Sequence, residues 1–253
     1  MPTHTENPGD ACLRVLTWNL YHGRSLPPAG RSLQAEFSQR LAEWDWDVAL
    51  LQEVPPWWPA RLARAAGAQR RSALTSRNEG LALRRLLAER WPDLMKSNGG
   101  GANAILARRQ IDEYRALRLR RWPERRVAQL ARLAGGTCVA NFHASSVPAL
   151  AEDELRRLLA LASRWSGSAP LVVGGDLNLR APELIAGGLV HAAARDVDHV
   201  FARGLLAAGP ALRLDRAVPL AGGCVELSDH IPLAVTLQRA DSYRLTADIP
   251  VGS

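Results

Sequence analysis

The sequence predicts an α/β domain, on three observations. From Leu13 onward, strand-like and helix-like stretches alternate, as in an α/β or α+β chain. The strand-like stretches are short apolar runs bounded by polar or glycine residues, such as DVALLQE and PLVVGGD. The 253 residues are enough for one substantial core, and no internal repeat or low-complexity linker divides them.

Residues 1–12 form a polar lead with two prolines. A first strand is expected over 13–19 (LRVLTWN), then a helix over 31–44, where apolar residues recur at three- and four-residue spacing. A strand over 47–53, a helix over 59–66, a strand over 70–76 and a helix over 80–90 follow on the same grounds. Three strands come next, at 103–108, 127–133 and 137–143, and Gly135-Gly136 between the last two is a hairpin signal. A helix over 150–165 precedes strands at 170–176, 198–203 and 231–237. The chain then turns polar, which gives one domain over 13–238 and a tail over 239–253.

Composition excludes several classes. No apolar run is long enough to span a bilayer, and the N-terminus lacks the pattern of a secretory signal. Cys12, Cys138 and Cys224 lie far apart, neither a disulfide framework nor a zinc site, so a reducing cytoplasm is expected. A net charge of +7 suits a polyanionic partner. All but Lys96 of the 32 basic residues are Arg, beside abundant Ala, so GC-rich coding explains the charge equally well.

Four expected strands end in polar residues that a core would not tolerate. Leu13, Val15, Thr17 and Asn19 share one face, so Asn19 emerges as its strand leaves the core. DVALLQE finishes on Glu53, VVGGDLN carries Asp176 and Asn178 two apart, and Asp229-His230 immediately precede IPLAVTL. Alone, each is more often a turn or cap residue. Four together converge only if one sheet edge hosts a site. Carboxylates and amide oxygens without Cys fit a hard ion, Mg²⁺ or Mn²⁺, better than zinc.

The ordered set TWN, LQE, GDLN and SDH resembles the endonuclease/exonuclease/phosphatase superfamily. GANAILARR at 101–109, ERRVAQLARL at 124–133, CVANFHAS at 138–145 and DVDHVFAR at 196–203 fall in the order expected of it. The resemblance implies a four-layered α/β sandwich, two mixed sheets face to face with helices outside. It implies divalent-metal-dependent hydrolysis of phosphate esters, with Asn19, Glu53 and Asp229 holding the metal. Asp176 would be the base, Asn178 would orient the water, and His230, fixed by Asp198, would bind the scissile phosphate. His143 joins the catalytic set, and Arg126 and Asn103 the phosphate ligands, although Arg125 could replace Arg126 by a one-residue shift. Either Asp176 or the His230–Asp198 pair could be the base.

WNLYHGR and LQEVPPWW depart from the WNVNGIRA and LQETK of exonuclease III-type abasic endonucleases. What remains is a generic member, read as a monomeric nuclease acting on nucleic acid. A phosphatase or phosphodiesterase of small molecules or lipid headgroups stays open. A binding module that has lost catalysis is disfavoured, because every matched site residue is present. His22, His191 and His199 lack ligand-like spacing and are expected at the surface or in packing.

Overall fold

Apolar residues on both faces of a strand need cover on both faces, which a single layer of helices cannot give. In β1 (Cys12–Asn19), Leu13 and Val15 join one cluster of buried side chains while Leu16 and Trp18 join another. The protein, seen in a computed structural model that describes residues 12–76, 78, 80–93, 101–182 and 188–239, solves this with two stacked sheets. Most of the lead and tail read from the sequence, 1–11 and 240–253, lies outside the described residues.

The remaining strands are β2 (Ser25–Leu26), β3 (Val48–Val54), β4 (Gln69–Leu74), β5 (Ala102–Ala107), β6 (Ile111–Arg120), β7 (Arg126–Leu133), β8 (Cys138–His143) and β9 (Leu171–Asp176). Then come β10 (Val190–Arg195), β11 (Asp198–Arg203), β12 (Leu205–Ala207), β13 (Leu212–Arg213), β14 (Ala217–Leu220), β15 (Gly223–Leu227) and β16 (Leu233–Arg239). Four helices are described: α1 (Gln34–Glu43), α2 (Pro59–Ala65), α3 (Leu81–Arg90) and α4 (Pro148–Ser166). The first sheet runs β12-β16-β1-β3-β5-β4, with β13 also on β16, and the second runs β10-β11-β9-β8-β7-β6. A small third sheet joins β14, β15 and β2.

Both large sheets are mixed. β1 and β3 are parallel, as are β8 and β9, while β16, β5, β7 and β11 run against their neighbours. β1 packs on β9 and β11, and β3 on β8 and β9, so the sheets lie face to face. Val15, Leu50, Ile105, Val139, Val172 and Val200 fill the space between them. Phe37, Leu41 and Leu62 of α1 and α2 cover the outside of the first sheet. Leu155, Leu158 and Leu159 of α4 cover the outside of the second. This is the four-layered α/β sandwich expected.

The backbone demands glycine at one turn and at one close approach. Gly135 and Gly136 turn the β7–β8 hairpin with φ of 88° and 83°, conformations that cost an L side chain energy. Gly175 has φ 140°, and a Cβ there would sit 1.9 Å from the Phe142 carbonyl oxygen on the parallel neighbour. β9 can therefore press against β8 just before Asp176.

A buried amide chain also bridges the sheets. Gln52 Nε2 donates to Asn141 Oδ1 at 2.8 Å, and Asn141 Nδ2 donates to the Leu51 and Ala104 carbonyls at 2.9 and 3.0 Å and to Gln129 Oε1 at 3.1 Å. All three amides are fully buried, and although Gln52 Oε1 has no protein partner, such polar links fix one register between layers.

Candidate active site

The topology decides where the polar strand ends meet. β1, β3, β8 and β9 leave the core at the same edge where β7, β11 and β16 enter it. Asn19, Glu53, His143 and Asp176 thus face Arg126 and the Asp229-His230 pair around a cleft of about 410 Å³, with Asp198 buried behind His230. The first sheet supplies Asn19, Glu53 and Asp229-His230, and the second supplies the rest. The site straddles the seam.

Asp176 sits near its centre, 2% exposed. Asn19 Nδ2 donates to its Oδ2 at 2.9 Å across the seam, and the Asn178 amide donates to Oδ1 at 3.0 Å. Asn178 is anchored by its own Nδ2, which donates to the Ala144 carbonyl at 3.0 Å. His143 Nε2 lies 3.5 Å from Asp176 Oδ2 and 3.8 Å from Glu53 Oε1. Burial pulls the His143 imidazole below its ordinary pKa despite those carboxylates, which favours its neutral form.

His230 Nδ1 and Asp198 Oδ2 are 2.7 Å apart, although 32 residues separate them in sequence. Ser228 holds the segment in place: its Oγ donates to the Asn19 carbonyl at 2.6 Å and accepts from the His230 amide at 3.0 Å. His230 Nε2 then points inward, 3.8 Å from Asp176 Oδ2. Burial works against a charge on His230, but the hydrogen bond to Asp198 and the nearby carboxylates outweigh it and push the imidazole up to about 9. Burial pushes Asp198 up to about 6 against the pull of the same bond. The Asp198 carboxylate thus favours the protonated form of His230.

Left-handed backbone collects here as well. Tyr21, His22, Glu53, Ser76 and Asn178 have φ between 45° and 53°, all five line the cleft, and Ser228 next to it has φ 68°. Non-glycine residues adopt this region only when their surroundings hold them there, and such strain gathers at functional sites. Glu53 lies at an irregularity between β3 and β5, where the register shifts from Leu51 to Val54.

Two sequence expectations need adjustment. Asn103 is fully buried, donates to the Val127 carbonyl at 3.2 Å, and is not among the residues lining the cleft. His22 does line it, with Nε2 3.0 Å from Glu53 Oε2, and burial lowers its pKa to about 4. The expectation of a surface or packing role fails because His22 sits in a tight turn after β1, where strand periodicity gives no guide. Between the two arginines, Arg126 enters the cleft while Arg125 is exposed. His199 is a packing residue, stacked on Phe201, with Nε2 2.7 Å from the Leu179 carbonyl.

A sequence profile of the Endonuclease/Exonuclease/phosphatase family matches residues 16–230. The chain belongs to that family. No curated protein matches the sequence itself. Solved structures share the fold at low identity. An endonuclease/exonuclease/phosphatase from Beutenbergia cavernae is 19% identical, with TM-score 0.65 over 90% of this chain and 72% of that one. TDP2 from Caenorhabditis elegans is 16% identical, with TM-score 0.66 over 90% of this chain and 75% of that one. A conserved Enterococcus faecalis protein of unknown function is 16% identical, with TM-score 0.66 over 90% and 100%. Membership supports metal-dependent phosphoesterase chemistry.

The donor set is compatible with such a metal. Glu53 and Asp229 bring carboxylates to the cleft, and Asn19 lines it with an amide oxygen that also accepts from the Tyr21 amide at 2.9 Å; oxygen is the donor type a hard divalent cation takes. Asp176, Asp198 and His230 form a second group able to hold an ion, with ligand atoms within 4.8 Å of one another. There, however, Nδ1 of His230 and Oδ2 of Asp198 already satisfy each other. Among the described residues no helix is long and apolar enough to cross a membrane.

Proposed function

We propose that this family member hydrolyses phosphodiester bonds of nucleic acid, with Mg²⁺ or Mn²⁺ held by Asn19, Glu53 and Asp229. When bound, such an ion neutralises charge on a phosphoryl oxygen. Asp176 accepts the proton of the attacking water. Its carboxylate is oriented for this by donors on both oxygens, Asn19 on one and Asn178 on the other. His230, cationic at neutral pH and fixed at Nδ1 by Asp198, presents Nε2 to the phosphate and stabilises its growing charge. Arg126 and His143 add donors on the side of the second sheet.

The observation that carries this reading is the His230–Asp198 bond. It joins β11 of one sheet to the segment that leads into β16 of the other and aims Nε2 toward Asp176. The net charge of +7 and the arginines at the cleft, Arg24 and Arg126, favour a polyanionic substrate. A screen of DNA, sphingomyelin and inositol phosphates, each with Mg²⁺ and with Mn²⁺, tests it. Turnover of DNA at least tenfold above the others is expected. Preference for a headgroup or an inositol phosphate would replace the nucleic-acid assignment, and full activity in EDTA would remove the metal.

A further inference from the structure

His199 is fully buried on β11 but does not line the cleft. Strand alternation puts it on the face of the second sheet that α4 covers, with Phe201, whereas Val200 faces the first sheet. Its ring lies parallel to that of Phe201, 5.8 Å between centroids. Packing alone does not call for an imidazole. Burying two ring nitrogens costs energy unless both are bonded, and a Leu or Phe would fill the layer without that cost. Both nitrogens of His199 are engaged. Nε2 lies 2.7 Å from the Leu179 carbonyl oxygen, and Nδ1 lies 3.0 Å from Nε2 of His191 on β10.

These partners fix the protons. A carbonyl oxygen only accepts, so Nε2 of His199 carries a hydrogen and donates it. Burial disfavours the charged form of both rings. In neutral His199 the bare nitrogen is then Nδ1, which accepts from Nε2–H of His191. Leu179 matters because of its neighbour. Asn178 holds φ 50°, a conformation that a non-glycine residue keeps only where its surroundings impose it. In that conformation its amide donates to Asp176 Oδ1 at 3.0 Å. The bond from Asn178 Nδ2 to the Ala144 carbonyl anchors the segment on one side. The bond from His199 to the Leu179 carbonyl anchors it on the other.

We infer that His199 is a positioning residue for Asp176: by holding the Leu179 carbonyl it keeps residues 177–179, and so the Asn178 amide, on the carboxylate of the base. His191, exposed at the other end of the chain of bonds, sets the tautomer that lets Nε2 donate. The inference rests on the proposed role of Asp176 and deepens it, whichever phosphate ester is cleaved.

The test sets two variants against each other. His199→Phe keeps a flat ring on Phe201 and loses the donor. His199→Gln loses the ring and keeps a donor, because the amide nitrogen of Gln reaches the place of the imidazole Nε2. Cleavage of a quenched fluorescent DNA oligonucleotide in Mn²⁺ should show kcat about 10- to 100-fold lower for the Phe variant, with KM unchanged, since a misplacement of about 1 Å can cost about 10²-fold. The Gln variant should keep most of the wild-type kcat. In two-bond ¹H–¹⁵N spectra of the wild type, His199 should appear as the Nε2–H tautomer. Packing alone predicts the reverse order, with Gln worse than Phe. That order, equal turnover by the two variants, or a loss confined to KM would overturn the inference and leave the proposed hydrolysis intact. So would the Nδ1–H tautomer, which is read on the wild type and does not depend on either variant folding. If the wild type prefers sphingomyelin or an inositol phosphate, the nucleic-acid assignment falls, and the expected order of the variants on that substrate still supports the role of His199. Turnover of none of these substrates would overturn both.

Discussion

The strands of the first sheet carry charged residues at both ends, and the two ends treat them in opposite ways. At the start of β1, Arg14 donates from its amide and from two guanidinium nitrogens to Asp47, at 2.7 to 3.2 Å, and also pairs with Asp45. Arg108, just past β5, gives its guanidinium to the carbonyls of Leu41, Ala42, Trp44, Trp46 and Ala66 and stacks 4.2 Å over the Trp46 ring. At the other end, Asn19, Glu53 and Asp229 line an open cleft, and Tyr21, His22 and Glu53 there hold positive φ. Buried polar atoms there, Arg126 Nε and Asp198 Oδ1, have no protein partner. An end where the guanidiniums are saturated holds the fold together. An end that leaves donors and acceptors unspent has kept them for a substrate.

If that contrast is right, substitutions at the cleft should cost activity with little stability, and substitutions at the far end the reverse. The largest effect is expected from Asp176→Asn. A positioned base contributes roughly 10²- to 10⁴-fold, so turnover should fall by at least about two orders of magnitude while the melting temperature holds. A loss below about tenfold would hand the base role to His230. The next concerns the pair at the seam. His230→Ala, Asp198→Asn and the double variant should be almost equally inactive, because the two residues act as one unit. Losses that multiply in the double variant would mean that Asp198 is only a strand-start residue.

The contrast also explains what the sequence could show. Strands buried on both faces announce themselves as apolar runs, and all nine strands and four helices read from the sequence are present within a few residues. β6, β10 and the short strands β2, β12, β13, β14 and β15 were not foreseen. In β6, Asp112, Glu113, Arg115 and Arg118 are exposed and no apolar face alternates, because it is an edge strand. Gln52, Gln129 and Asn141 looked like ordinary strand residues, since hydrogen bonds across a seam leave no mark in local sequence. Asn19, Glu53, Asp176 and Asp229 stood out because strand alternation places a polar residue at the end of an apolar run. His22 was assigned to the surface or to packing, because a turn has no periodicity to show which way its side chain points.

A smaller effect should separate metal binding from folding. Glu53→Gln keeps the size and the hydrogen-bonding oxygen but removes a charge from the proposed donor set. The divalent-ion concentration for half-maximal activity should rise by about tenfold or more, a loss on the scale seen when groups that support a metal are altered. Calorimetric titration with Mn²⁺ would read this directly, and unchanged affinity would move the ion to the Asp176, Asp198 and His230 group.

The smallest effect belongs to the far end, and its sign follows from Asp47. Burial alone would raise this carboxyl, but the hydrogen bonds from the Arg14 guanidinium and amide outweigh it and hold Asp47 below its ordinary value. A carboxyl whose folded pKa is depressed adds stability that is complete above the unfolded value, about 4, and is lost as pH falls through the folded one. Hydrogen bonds to a charged group are worth about 1.5–3 kcal/mol, and the exposure of Arg14 reduces this through solvent screening. Asp47→Asn should therefore cost about 1–2 kcal/mol at neutral pH, or a few degrees in melting temperature for a chain of this size. Urea unfolding of both proteins should give a constant difference from pH 7 to pH 5 that shrinks only below about pH 4. Activity at neutral pH should not change, because Asp47 lies at the other end of β3 from Glu53. A variant that loses turnover but not stability would erase the division between the two ends, and a difference independent of pH would show that Asp47 acts through packing instead of charge.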